Sequence, residues 1–213
     1  MKVLGSTTSP YTRKVRILLN AIGRPYEMID TRTDAGAAVL AEVAPLKKIP
    51  VLLLDAAEAA VAPGSAALPA GSSHGLALPD SALITRWIWA AEEAGLRRAG
   101  WSFEPDDWND RALMVVVEGA LDAAINYRYL RQDGFADAGY ISKQRQRVEA
   151  ALTWLDGRFV FRRPLGAAAL SLGCALDWMA FRNVTDLPRW KGLHAFHVAW
   201  TESSVGAGTE PHE

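Results

Sequence analysis

Cysteine is nearly absent from this chain. Cys174 is the only one among 213 residues, which excludes an internal disulfide and any dithiol redox pair drawn from the chain itself. Net charge is nearly absent as well: 23 basic and 24 acidic side chains leave a formal balance of −1. No overall basic field therefore draws the molecule to nucleic acid. No apolar run reaches the ~18–20 residues needed to cross a bilayer. The opening MKVLGSTTSP lacks the charged-then-apolar pattern of a secretory signal. A cytoplasmic chain with no nucleic-acid and no membrane partner is the expectation. Histidine is scarce too. His194 and His197 share one helical stretch with Trp190 and Trp200 and have no third ligand at a suitable spacing, so packing is expected there and no metal.

What is present is ordinary globular material. Half of the residues are hydrophobic and 22% are charged, enough for one large domain or two modest ones. Over the first ninety or so residues the apolar spacing alternates between strand and helix periods. Strands are expected at 2–5, 26–29, 49–54 and 74–78. Helices are expected from Tyr11 to the stop at Gly23, at 34–43 and at 81–94. The order is βαβαββα. Between the last two strands, Asp55 to Ser73 holds eight alanines, two prolines and two glycines in nineteen residues. A long excursion is favoured there over a short helix at 56–62, because Pro63-Gly64-Ser65 and Ala70-Gly71-Ser72-Ser73 break any regular pattern. Residues 95–105 read as a linker. From 106 to 202 only helical periodicity remains, with helices expected at 107–130, 141–161, 167–181 and 188–201. The tail 203–213 has little to bury and is expected to fray. The fold class is thus α/β plus all-α, a small domain over 1–94 followed by a helical bundle.

Three stretches can carry chemistry. Ser9-Pro10-Tyr11-Thr12 stands a few residues after the first strand, where a redox protein would carry Cys-Pro-Tyr-Cys; both cysteines are missing. Ser9 as N-cap with Pro10 at the first helical position explains the pair without any function. The same position is where backbone N–H groups and the positive dipole end converge, and it favours an anion such as a thiolate brought by a ligand. Pro50, at the start of the third strand, reads either as a trans proline on an edge strand or as a cis turn. Asp80 and Ser81 are natural caps for the next helix, and also offer polar groups to a ligand's carboxylate and ammonium. Cys174 reads as a buried small hydrophobe. Arg13, Lys14 and Arg16 read as a solvated face.

The order of elements, Ser9-Pro10-Tyr11 before Arg13-Lys14-Val15-Arg16-Ile17, Pro45-Leu46-Lys47-Lys48-Ile49-Pro50 and Asp80-Ser81 together resemble the cytosolic glutathione transferase superfamily, and most of all its bacterial members with an active-site serine. Leu170-Ser171-Leu172-Gly173, followed by Phe181-Arg182, is similar to that group as well. The resemblance implies a thioredoxin-like glutathione-binding domain over 1–94 with glutathione as co-substrate, no metal, and a homodimer. It implies that Ser9 is the catalytic residue contacting the glutathione sulfur. Ile49, before a cis Pro50, would pair with the cysteinyl part, Asp80 and Ser81 would hold the γ-glutamyl end, and Lys48 would reach the glycyl carboxylate. Tyr11, Trp108, Asn126 and Tyr127 are the candidates for the second-substrate pocket. The implied activity is attack of the thiolate on a small electrophile, as in detoxification; the alternative is a non-catalytic module of the same fold that binds a ligand or a protein. With Ser9 and Thr12 in the redox positions, disulfide exchange is expected to be poor. Two departures stand out: Ser171 is followed three residues on by Cys174 where a capping box is common, and Lys47 stands where glycine is common.

Overall fold

The computed structural model describes residues 1–59, 76–104, 106–136 and 139–213. The chain divides into two compact units, Met1–Trp101 with Val205–Glu213, and Ser102–Ser204. In the first, β1 (Lys2–Gly5), α1 (Pro10–Ala21), β2 (Glu27–Asp30), α2 (Asp34–Val43), β3 (Val51–Leu54), the single-turn α3 (Ala56–Ala59), β4 (Leu76–Pro79) and α4 (Ser81–Arg98) follow in order. The strands form one mixed sheet in the order β2-β1-β3-β4, with β1 parallel to β2 and antiparallel to β3, and β3 antiparallel to β4.

The sequence explains this order. β3 reads Val-Leu-Leu-Leu and is buried throughout, as a central strand covered on both faces must be. Pro79, which has no N–H for a ladder, ends the edge strand β4. On one face of the sheet Leu4, Val51 and Leu53 form a core with Leu40 and Ala44 of the α2 region. Strand alternation sends Val3, Leu52 and Leu78 to the other face, where all three are buried under α1 and α4, which pack on each other. Gly5 closes β1 because Thr12 of α1 lies against it: an added Cβ would stand 2.4 Å from the Thr12 hydroxyl oxygen.

The second unit holds α5 (Trp108–Gln132), α6 (Gly139–Leu155), α7 (Ala167–Phe181) and α8 (Lys191–Glu202). Helix α7 is buried along most of its length and packs on α5 and α8. Neither α7 nor α8 is capped by the residue before it. Each borrows a carboxylate instead. Asp110 of α5 accepts from the Ala167 and Ala168 N–H groups at 3.0 and 3.2 Å, and Asp156, just past α6, accepts from Leu193 N–H at 2.9 Å. Ser171, where the sequence departs from a capping box, lies inside α7 and not at its start; the helix start at Ala167 is capped from α5 instead.

Several boundaries differ from the sequence expectation. Helix α4 continues to Arg98 through a non-helical Glu92 (φ −134°, ψ 26°), so the first part of the expected linker is helix; the apolar Leu96, fully buried, is what carries it on. Helix α6 stops at Leu155, because Gly157 takes φ +77°. Phe159 and Phe161 lie beyond it, edge-on to Phe196. The last expected helix is broken into a 3-10 turn at Leu187–Arg189 and α8, with Trp190 extended between them. Of the expected 55–73 excursion, residues 56–59 form α3, the reading the sequence disfavoured; residues 60–75 lie outside the described residues. The tail is not frayed. It turns as a 3-10 helix at Ser204–Gly206 and buries Thr209 to 1% exposure, because α1 presents hydrogen-bond donors to it.

Candidate functional site

The register of the sheet gathers the expected residues at one end. Leu4 pairs with Val51, and Val51 with Pro79, so a single row crosses β1, β3 and β4. The chain leaves β1 toward Ser9 beside this row, enters β3 from Ile49-Pro50 at the same end, and leaves β4 there into Asp80-Ser81. Three separate segments thereby meet along one edge of the sheet.

Ser9 is extended (φ −79°, ψ 121°), and its Oγ accepts from the Thr12 N–H at 3.2 Å as the N-cap of α1. Its hydroxyl proton is given to no acceptor among the described residues. Ser9 N–H donates to Ser6 C=O at 3.2 Å, which closes the loop between β1 and α1. Tyr11 is half-buried with Lys14 Nζ 5.2 Å from its ring centre. The Thr12 hydroxyl is buried and has no hydrogen-bond partner among the described residues.

The Ile49-Pro50 bond is cis; the trans alternative is excluded here. Neither the N–H nor the C=O of Ile49 is hydrogen-bonded among the described residues. Lys48 is exposed and follows Lys47, which takes φ +50°. That is the left-handed region glycine favours, so the departure noted in the sequence has a conformational cost. Asp80 takes φ +73°, ψ 133° while its Oδ1 caps α4 by accepting from Ala82 N–H at 2.6 Å. A non-glycine residue in so sparsely populated a region marks a position held by its surroundings. Ser81 is buried, and its carbonyl accepts the Thr85 hydroxyl at 2.7 Å.

The second-substrate candidates other than Tyr11 fall in the helical unit and are not brought together. Trp108 and Tyr127 stand nineteen positions apart on α5, about 28 Å at ~1.5 Å per residue. No small-molecule pocket holds both. Trp108 is 73% exposed with Arg111 stacked on its ring, and Asn126 is exposed. Tyr127 lines two adjoining clefts of about 280 and 270 Å³ that also share Val184. His197 Nε2 meets Asp177 Oδ1 at 2.7 Å, while Trp200 donates to the other carboxylate oxygen at 2.7 Å. Cys174 is 1% exposed.

Sequence reasoning missed what surrounds the Ser9 loop. Arg32 forks onto Asp30 at 2.8–3.1 Å and reaches the Thr7 hydroxyl at 3.3 Å. The Arg32 guanidinium holds the Asp30 carboxyl below its usual range. Arg13, Lys14 and Arg16, expected to face solvent, are 4%, 3% and 8% exposed. Their crowding onto the first two turns of a helix opened by Ser-Pro was the one available signal, and it was ambiguous with an ordinary charged face.

A mixed β2-β1-β3-β4 sheet with this helix order defines a thioredoxin-like unit, here accompanied by an all-helical one. A family model described as the N-terminal domain of glutathione S-transferase matches residues 3–95. The uncharacterized GST-like protein YibF of Escherichia coli is 25% identical over 197 residues, 89% of this chain and 86% of its own. A glutathione S-transferase of Methylobacillus flagellatus, solved with GSH bound, superposes with a TM-score of 0.77 at 23% identity over 99% of both chains. Another from Methylobacterium radiotolerans, solved with glutathione sulfonate, gives 0.72 at 23% identity over 100% of this chain and 95% of its own. The first unit therefore matches the N-terminal domain of glutathione S-transferases, and the chain as a whole has the fold of solved glutathione S-transferases.

Proposed function

We propose that this chain is a glutathione transferase in which Ser9 receives the glutathione thiolate and directs it at a small electrophile. One observation carries the reading: the row Leu4–Val51–Pro79 sets Ser9, the unpaired backbone of Ile49 and the strained Asp80 along one sheet edge. Two strand spacings of ~4.8 Å give roughly 10 Å from β1 to β4, and a tripeptide extended at ~3.4 Å per residue is about as long. In this arrangement the cysteinyl backbone pairs with Ile49, the γ-glutamyl end lies at Asp80 and Ser81, and Lys48 serves the glycyl carboxylate. Solved relatives with glutathione or its sulfonate bound support the choice of ligand. This reading includes a cytoplasmic homodimer serving detoxification, as the family resemblance implies.

The chemistry follows from the Ser9 proton, which no group among the described residues accepts. A free thiol has a pKa of ~8.5. A hydrogen bond to a charged acceptor contributes about 1.5–3 kcal/mol, and ~1.4 kcal/mol equals one pKa unit. One Ser9 O–H donated to the sulfur therefore lowers the bound thiol to about pH 7. The α1 N-terminus adds to this in the same sense. The thiolate attacks the electrophile, the new carbon–sulfur bond forms, and the leaving group departs with the displaced electron pair.

The test compares wild type and Ser9→Ala for retention on immobilised glutathione and for conjugation of a chlorodinitrobenzene. Both proteins are expected to be retained, with Ser9→Ala losing tenfold or more in kcat/KM at pH 6.5. Equal rates would remove Ser9 from the mechanism. Wild type passing unretained through the column would remove glutathione as the ligand and favour the non-catalytic module.

A further inference from the structure

The tail that returns to the first unit is attached at its middle and near its end. At its middle, Arg13 Nε donates to Thr209 Oγ1 at 3.2 Å, while Arg16 donates to the Thr209 and Gly208 carbonyls at 3.3 and 3.1 Å. Thr209 is locked in turn, its hydroxyl donating to Gly206 C=O at 2.6 Å. Gly206 lies so close beneath Arg13 that an added Cβ would stand 2.6 Å from a guanidinium nitrogen. This is a fitted contact on two buried arginines. Farther along, the carbonyl of His212 accepts the Thr7 hydroxyl at 2.8 Å.

Thr7 stands two residues before Ser9, inside the loop closed by Ser9 N–H on Ser6 C=O. Its hydroxyl is held from two sides: it donates to His212 on the tail and accepts from Arg32, which is forked onto Asp30 at the end of β2. The loop is thus clamped between the sheet and the tail at the residue next but one to the proposed sulfur donor. The charged and titratable groups at this clamp include Asp30, Arg32, His212 and Glu213, the last adding its charge to the field at Arg32.

We infer that residues 205–213 are a strap whose grip on Thr7 sets the position of the Ser9 hydroxyl, which makes Thr7 a positioning residue for the thiolate. The inference rests on the reading of Ser9 given above. A hydrogen bond to a developing charge is sensitive to small displacements. Loosening the loop therefore raises the pKa of the bound thiol before it disturbs anything else. That signature separates positioning from a merely structural role.

The experiment uses the full-length chain and three variants. Thr7→Val removes the hydroxyl with little change of shape, Thr7→Ser retains it, and Thr209→Val cuts the tail's anchor at Arg13. The readouts are the pH profile of chlorodinitrobenzene conjugation and amide hydrogen exchange over residues 5–16. Thr7→Val is expected to move the acidic limb of kcat/KM upward by about half to one pH unit. Activity then falls roughly three- to tenfold at pH 6.5 and less than twofold at pH 9. Thr209→Val moves it the same way, Thr7→Ser restores the wild-type limb, and exchange of the loop amides rises in both valine variants. An unshifted limb in Thr7→Val, or a loss equal at all pH values, overturns the inference. If wild type neither binds nor turns over glutathione, the reading of Ser9 falls alone and exchange decides on the strap. Faster exchange in the valine variants then upholds the strap, and unchanged exchange overturns it.

Discussion

Lys47 and Asp80 carry the clearest residue-scale tension in the first unit. Both take positive φ without being glycine, at +50° and +73°, and both flank segments that end at the same edge of the sheet. For Asp80 the surrounding structure offers a compensation, the 2.6 Å cap bond to Ala82 N–H. For Lys47 it offers only the backbone bond from its N–H to Ala44 C=O at 2.9 Å, which glycine makes equally well. Lys47→Gly is therefore expected to be neutral to stabilising, by at most about 1 kcal/mol once the extra freedom of glycine in the unfolded chain is subtracted. Lys47→Ala keeps the Cβ and should gain nothing. Denaturant melts of the two variants beside wild type check this. At this scale the sequence was informative where one residue has one cap to make: Ser9 and Asp80 were both legible. It was silent on Thr7, because a threonine in a polar loop carries no local signal of a partner some two hundred residues away.

At the scale of elements, the regular core was readable and the terminations were not. The buried Val-Leu-Leu-Leu of β3 and the apolar run of α7 announce themselves by composition. The end of α6 depends on one glycine at φ +77°, and the caps of α7 and α8 come from carboxylates distant in sequence. Asp110 makes a prediction here. Burial pushes its carboxyl above the usual range, against the pull of the Ala168 and Ala167 N–H groups. A carboxyl raised on folding holds its proton more tightly in the native state than in the unfolded chain. Stability from this group is therefore greatest below the unfolded value of ~3.9 and declines as pH rises through the folded value. Asp110→Asn retains an oxygen for the cap and loses the titration. The melting temperature of wild type minus that of Asp110→Asn should fall as pH is raised from 3 to 7. A gap that widens in favour of wild type over that range would contradict the direction of the shift.

At the scale of the whole molecule, the sequence made the division into a mixed unit and a helical unit legible, since the period of the apolar residues changes where composition does. The return of 205–213 to the first unit was not legible, because SSVGAGTEPHE is small and polar and its fit depends on arginines of α1. Chemistry at this scale is set by one thiol. Cys174 is 1% exposed, and the redox positions hold Ser9 and Thr12. The native protein is expected to react with well under one equivalent of a disulfide reagent such as dithiobisnitrobenzoate, and with one equivalent in guanidinium. Full reaction without denaturant would show Cys174 to be accessible.

The strap also orders events in time. Residues 205–213 belong to the unit formed by Met1–Trp101, yet a ribosome makes them only after all of 102–204. The thioredoxin-like sheet and its helices emerge first, with Arg13 waiting for the Thr209 hydroxyl and Arg16 for the Gly208 and Thr209 carbonyls, which arrive only after the helical unit. Until then the Ser9 loop is held from one side alone, and the proposed sulfur site of a nascent chain stays unfinished while its helical half is being synthesised.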